Sequence, residues 1–473
     1  AYYSKNRGGI WIVPALGGSP KQLVEFGSRP AWSSNGSMIA FQSNAPDDLS
    51  GTGRNAMPPS TIWIIPSQGG QARQLTQAGN PPGGHGAPSW SPDGKRIVFD
   101  TSDFISSAIW TVSLEGGDLK KIALDAKSAI YSPDGENIYY SSRGLWKVHL
   151  SPTTGEPVQI TGTGGPAALG KSTISADGKR IAYSLATLSS NLWSVPLSPG
   201  SNQATGSPSP FDRDTSKRQN LGRFSPDGRR IAFNKWREGT SADIWVTDAD
   251  GKNPTQVTDN PATDSQASWF PEGDKIAFLS DRNSNHLALW SIVLASGREE
   301  PLLDLGEGVE YANLSPDGKQ VAFNSKKSGT INIWTASMTG GEPTQLTFDN
   351  ELMGFPCWSP DGQFLAFEVK RGDDMHVAII PNSGGTPIQL TFDHGQSYPH
   401  SWSPDGSRIA FAGLRNGVWN IWWVTRDGKT QKQLTNNTKL NVFLRYPAWS
   451  PRGDKIVYEY AETTGNIWIV DLK

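Results

Sequence analysis

Cysteine occurs once in the 473 residues, at Cys357, which excludes any disulfide within the chain. So little cysteine suits an exported bacterial protein but leaves the compartment open. Long hydrophobic runs are missing too. No stretch approaches the roughly 18 uninterrupted apolar residues of a membrane helix, and no signal-peptide pattern is present. Neither sign of charge dominates: 43 basic and 45 acidic residues give a formal net charge of −2. With no basic tract or arm, the charge balance argues against nucleic acid and anionic membrane as main partners. Catalytic signatures are absent as well. There is no Gly-x-Ser-x-Gly elbow, and no His-Glu-x-x-His, Cys-x-x-Cys or phosphate-binding loop. The expectation is a protein without enzymatic activity.

What the chain does contain is one short pattern, written most fully at Trp402-Ser403-Pro404-Asp405-Gly406-Ser407-Arg408-Ile409-Ala410-Phe411. Proline presets φ for the second turn position, Asp tolerates the third, and Gly takes the left-handed position that closes the turn. The residues after it have the β-branched and aromatic character of a strand. The turn recurs ten times, starting at Ser33, Ser91, Ser132, Ser175, Ser225, Phe270, Ser315, Ser359, Ser403 and Ser450. The last six starts are 45, 45, 44, 44 and 47 residues apart, and the earlier spacings are 58, 41, 43 and 50. Trp32, Trp90, Tyr131, Phe224, Trp269, Trp358, Trp402 and Trp449 precede the turn, with Ile174 and Leu314 in the other two copies.

Two more segments complete each unit. One is a strand around Ile-Trp, as in Ile62-Trp63, Ile244-Trp245, Ile333-Trp334 and Ile421-Trp422. The other follows a glycine-rich turn and ends in Gln-Leu-Thr or a near copy, as in Gln74-Leu75-Thr76 and Gln345-Leu346-Thr347. We label the strands a (aromatic), b (after Asp-Gly), c (Ile-Trp) and d (Gln-Leu-Thr). Each is short and amphipathic, so one sheet cannot bury its faces alone, whereas sheets stacked around an axis can. The predicted class is therefore all-β, a β-propeller with four-stranded blades. Most of the 19 tryptophans fall at the repeated a and c positions and are expected to pack between blades.

The order along the chain suggests two propellers in tandem. The unit at Ser175 lacks a Gln-Leu-Thr strand, and a Ser/Pro/Gly-rich stretch from Ser198 to Phe211 follows it. The final unit ends with its c strand, Ile467-Trp468-Ile469-Val470, also without d. If Pro210-Phe211-Asp212 lies as strand d beside Ile467–Val470, residues 203–473 close as six blades. Residues 1–202 then form a second propeller of five or six blades. The alternative is a single ten-bladed ring. Residues Ala1 to Arg7 read as the end of a b strand, so a region upstream is expected. Asn44 to Ser60 reads as a long surface loop.

These turn, Ile-Trp and Gln-Leu-Thr segments resemble the TolB-type propeller repeat family, relatives of the WD-repeat propellers. The resemblance covers essentially the whole chain. It extends to the propeller arrays of CadC-like winged-helix regulators and certain serine/threonine kinases. It implies a periplasmic or extracytoplasmic binding or scaffold module that recognises a protein, peptide or small ligand at the loop face and central funnel, as part of a membrane-anchored complex in some relatives. An extracytoplasmic sensor domain of a larger membrane regulator is the second expectation. A carbohydrate-active lyase or hydrolase using the central funnel is the third.

In a propeller the d–a and b–c connections share one face. Larger residues at the entry to strand a should project near the funnel there: Tyr311, Phe355, Tyr398, His400, Arg445 and Tyr446. Tyr and Arg are what binding hot spots use, and concave funnels are the default ligand sites; ordinary loop packing is the alternative. After Gln-Leu-Thr come polar residues, among them Asp259, Asp349 and Asp393. They are expected either as turn chemistry or as a collar able to hold a channel cation such as calcium. No other cofactor is expected. His376 stands where other units carry the c-strand tryptophan, so packing explains it. His394 and His400 are too few to indicate a metal by themselves.

Overall fold

The computed structural model describes all residues except 5–7, 44–59, 103–106, 143, 151–154, 163–166, 199, 201–202, 212–217, 237–240, 283–285, 307, 350–352, 373 and 473. The expected loop from Asn44 to Ser60 and the expected strand residue Asp212 thus fall outside the described residues, except for Ser60. Regular structure among the described residues is entirely β. It forms antiparallel sheets, most of four strands in the order a-b-c-d, as the repeat predicts.

The turn chemistry is visible atom by atom. At the Ser403 turn, Asp405 Oδ1 accepts from the Ser403 hydroxyl at 2.5 Å and from the Ser407 amide at 3.0 Å. Ser403 Oγ in turn accepts the Arg408 amide at 2.9 Å. The same bonds recur at Ser91, Ser225, Ser315 and Ser359. Gln-Leu-Thr has an equally local cause. Thr347 Oγ1 accepts the Ile333 amide of strand c at 2.9 Å, and Gln345 Nε2 donates to the Thr347 carbonyl at 2.7 Å. Two side chains thus extend a strand d of only two backbone-paired residues, Thr344–Gln345. The strand a tryptophans join neighbouring sheets. The indoles of Trp269, Trp358 and Trp402 donate to the carbonyls of Arg223, Asn313 and Cys357, at 3.0, 3.0 and 3.1 Å.

The chain divides into two compact units, 1–187 with 465–473, and 188–464. The expected division fell between 202 and 203. The difference arises because strands Arg180–Pro196 and Lys455–Asp471 each run 17 residues without turning. Leu185 to Asn191 contains neither Gly nor Pro, so nothing reverses the chain between the expected b and c strands. Ser209–Pro210 does act as a d strand, but it pairs with Trp193 and Ser194. It does not lie beside Ile467–Val470, which belongs to the first unit.

The first unit holds the sheets at Ser33, Ser91 and Ser132, each of four strands, with a three-stranded sheet from residues 2–24. Its remaining sheet combines Ala167–Ile174, residues 180–187 and residues 465–471, where the Leu472 amide donates to the Lys179 carbonyl at 2.7 Å.

In the second unit the sheets at Ser225, Phe270, Ser315, Ser359 and Ser403 each contain strands a to d. The sixth, at Ser450, is assembled from both ends of the unit: Val442–Trp449, residues 455–464, residues 188–196 and Ser209–Pro210. Trp193 stacks on Tyr460 within it, with ring centroids 4.5 Å apart. Each first strand touches the next, and Val442–Trp449 meets Gln219–Phe224, so these six sheets close as a ring. Aromatic and aliphatic side chains fill the spaces between sheets, among them Phe278, Phe323, Phe367 and Phe411, all essentially buried.

Candidate functional site

In five of the six sheets of the second unit strand a carries a bulge near its middle, whereas Ala312–Leu314 of the Ser315 sheet pairs in even register. The register slips between Asn220 and Arg223, Ser265 and Ser268, Gly354 and Cys357, Pro399 and Ser401, and Arg445 and Ala448. Leu221, Gln266, Phe355 and Tyr446 take φ of 56°, 61°, 50° and 54° there. A residue in this left-handed conformation breaks the alternation of the strand and re-aims its side chain.

Tyr311, Phe355, His400 and Tyr446 come from four successive sheets and meet. Ring centroids lie 5.2 Å apart for Tyr311–Phe355, 5.7 Å for Tyr311–His400 and 5.2 Å for His400–Tyr446. The Tyr311 hydroxyl and His400 Nε2 share a hydrogen bond at 2.9 Å. From the Ser225 sheet, Arg223 donates to the His400 carbonyl at 2.6 Å and to the Tyr311 hydroxyl. From the Phe270 sheet, Gln266 Oε1 accepts the Ala312 amide at 3.0 Å. Groups from five sheets therefore pack together about the axis, and Gln266 of the sixth bonds to the backbone on either side of Tyr311. Tyr311 and His400 are 3% and 2% exposed, so the cluster fills the axis more than it lines it.

Burial governs the electrostatics. It pushes the Tyr311 hydroxyl and the Cys357 thiol up to about 12 each. Burial, with Arg223 beside it, holds His400 well below its ordinary 6.5. His400 is therefore neutral near pH 7 and can share a proton with the Tyr311 hydroxyl.

Arg445 lies deeper than its expected role requires. It is 2% exposed and ion-paired through Nε to Glu459 at 2.9 Å. Arg218 reaches the same carboxylate at 3.1 Å, and Ser190 donates to it at 2.7 Å. Burial alone would raise Glu459, but Arg445 and Arg218 together hold it below its ordinary value. Tyr398 lies at the edge of the cluster, stacked on Trp419 with centroids 5.5 Å apart. The structure thus gathers Tyr311, Phe355, His400 and Tyr446, places Tyr398 beside Phe355 at 6.0 Å, and commits Arg445 to an internal ion pair.

The expected cation collar is spread out. Asp349 faces Arg371 at 2.8 Å, and Asp393 faces Arg415 at 3.5 Å and Gln431 at 2.6 Å. Asp259 has a partner of its own. Among the described residues no three His, Cys, Asp or Glu groups converge on a possible metal position.

Three side chains that sequence reasoning passed over stand out at the loop face. Phe348 and Phe392 follow Thr347 and Thr391 directly, and Leu440 lies in the next connection. They are 77%, 73% and 72% exposed. Their signal was available as an apolar residue in a polar connection, twice in the same place. Arg223 and Gln266 were also missed, because nothing local distinguishes them until the bulge register is known.

Comparison with known proteins agrees with this architecture. The TolB beta propeller domain family matches residues 174–347 and 349–473, more than half of the chain. An uncharacterized protein of Agrobacterium fabrum is 29% identical over 267 residues, which is 50% of this chain and 83% of that protein. The uncharacterized peptidase YuxL of Bacillus subtilis is 30% identical over 105 residues, 21% of this chain and only 16% of that protein. The crystal structure of TolB from Acinetobacter baumannii aligns with a TM-score of 0.47 and 17% identity, over 68% of this chain and 82% of that one. With its repeated turns, four-stranded sheets and family match, the chain belongs to the TolB β-propeller family.

Proposed function

We propose that this protein is a non-enzymatic binding module that takes an extended segment of a partner protein across the loop face of its second unit. Family membership supports a binding or scaffold role in general. The observation that carries the finer reading is the display of Phe348, Phe392 and Leu440, all more than 70% exposed, on three successive d–a connections. Large apolar groups so placed are what interfaces use. The packed cluster of Tyr311, His400 and Arg223 favours engagement across the face over deep insertion into the axis. An extracytoplasmic location goes with this reading and rests on the likeness to the family.

A displayed-peptide library panned against the folded chain tests the proposal. Peptides selected on the wild type should lose about tenfold or more in affinity for the Phe348→Ala/Phe392→Ala double variant, the scale of one hot-spot contact. Peptides that bind both proteins equally would place recognition elsewhere.

A further inference from the structure

The opposite end of the second unit, where the Ser-Pro-Asp-Gly turns lie, carries a separate inference that does not rest on the loop-face reading. In two sheets the residue that opens strand b is a cation that reaches across to the neighbouring sheet, whereas Lys275 and Arg408 at the same position turn to Glu300 and Trp423 of their own sheets. The Arg230 guanidinium lies 4.9 Å from the ring centroid of Trp269 and donates through Nη2 to the Gly273 carbonyl. Lys455 Nζ donates to the Ala249 carbonyl, in the c–d turn of the next sheet, at 2.7 Å. The Trp269 ring and the Gly273 carbonyl thus form a receptor for positive charge, filled by the chain itself.

Between the Ser315 and Ser359 sheets the filling residue is absent. The position of Arg230 is taken by Gln320, as the shared turn bonds show: the Arg230 amide donates to Ser225 Oγ and the Gln320 amide to Ser315 Oγ, both at 2.9 Å. Trp358 stands where Trp269 does, Gly362 where Gly273 does, and Asn382 where Ala249 does. Gln320 is shorter and neutral, and its buried Oε1 accepts no hydrogen bond among the described residues. What remains is a cleft of about 340 Å³, walled by Pro316, Asp317, Trp358, Asp361, Gly362 and Asn382. The Ser315 and Ser359 hydroxyls, bonded to Asp317 and Asp361, hold those carboxyls below their usual range. Both are therefore anionic at neutral pH.

We propose that this cleft binds an arginine side chain presented by a partner polypeptide. The guanidinium would lie over Trp358 and point its donors at the Gly362 carbonyl and the two aspartates, as Arg230 does toward its own neighbour. A planar, delocalised cation with donors in a fixed fork suits a ring face and several acceptors at once, better than a compact ammonium.

The test is titration of the intact chain with Nα-acetylarginine amide, followed by saturation-transfer NMR. Nα-acetylcitrulline amide serves as the neutral isostere and Nα-acetyllysine amide as the ammonium. The arginine probe should bind saturably and about tenfold or more tighter than citrulline. Gln320→Arg should abolish its binding by supplying the guanidinium internally, and Gln320→Glu should strengthen it by adding a third carboxylate. Equal binding of the arginine and citrulline probes overturns the proposal, as does unchanged binding in Q320R. A lysine probe that matches arginine overturns the assignment to guanidinium.

Discussion

Arg223 donates to the carbonyl of His400 at 2.6 Å and so ties the first sheet of the six-sheet ring to the fifth. The bond crosses the axis and does not follow the ring around it. Because the same guanidinium also serves the buried Tyr311 hydroxyl, its removal leaves two buried acceptors short of a donor. Arg223→Met should therefore lower stability by about 2–4 kcal/mol, from two lost bonds to a charged group and the exposed desolvation penalty. Urea denaturation measures it. A loss below about 0.5 kcal/mol would show that the axial cluster holds without this bridge.

His400 should make stability depend on pH. Its folded pKa is depressed well below 6.5 by burial and by Arg223, so the unfolded chain binds the proton more readily. The contribution is then fully present above pH 6.5 and falls progressively as pH drops below it, toward the folded pKa. His376 in the same unit and His85 in the first unit shift the same way, with burial the main cause. The informative measurement is therefore a difference: stability against pH for wild type and His400→Gln between pH 7 and pH 5. The variant should show a shallower decline. Parallel profiles would assign the dependence to the other histidines.

The repeat made the sheets legible because its causes are local. A Ser-Pro-Asp-Gly turn is closed by its own side chains, and Thr347 reaches no further than strand c. The entry to strand a was legible for a related reason: Tyr311, Phe355 and Tyr446 each sit four residues before the start of the turn, and His400 sits three before it. What they do there was not legible. Their contacts are made between sheets about 45–90 residues apart in sequence, as in Tyr311 with His400. The exchange of strands at 187/188 and 464/465 was hidden for the opposite reason. It depends on the lack of a turn signal, and a run such as Leu185 to Asn191 reads equally well as a connection or as more strand.

The threonine latch predicts a local failure. Thr347→Val keeps the side-chain shape but removes the acceptor for the Ile333 amide and the donor to Asn332 Oδ1, which lies 2.9 Å away. A buried amide left unpaired should lower stability by about 1–3 kcal/mol. Amide exchange at Ile333 should rise before exchange elsewhere in the same sheet, since strand d has few other attachments. Uniform acceleration across the unit would mean the latch acts only on global stability.

Glu459 should be the most sensitive single position in the second unit. It is fully buried, and its carboxylate neutralises Arg445 at 2.9 Å while Arg218 and Ser190 bond to it as well. Glu459→Gln leaves two guanidiniums close together with no counter-charge, one of them 2% exposed. Breaking such a pair from one side should lower stability by about 3–5 kcal/mol. Arg445→Met alone should do less, because Arg218 still pairs the carboxylate. The double variant Glu459→Gln/Arg445→Met should recover part of the loss of the glutamine variant, since the deeper of the two cations has gone with the anion. A double-mutant cycle in urea reads this directly, and a favourable coupling of about 1–3 kcal/mol is expected for groups in contact. Strict additivity would mean that Arg218 alone balances Glu459 and that Arg445 is held by its contacts with the Phe443 and Tyr446 rings, each 5.6 Å away.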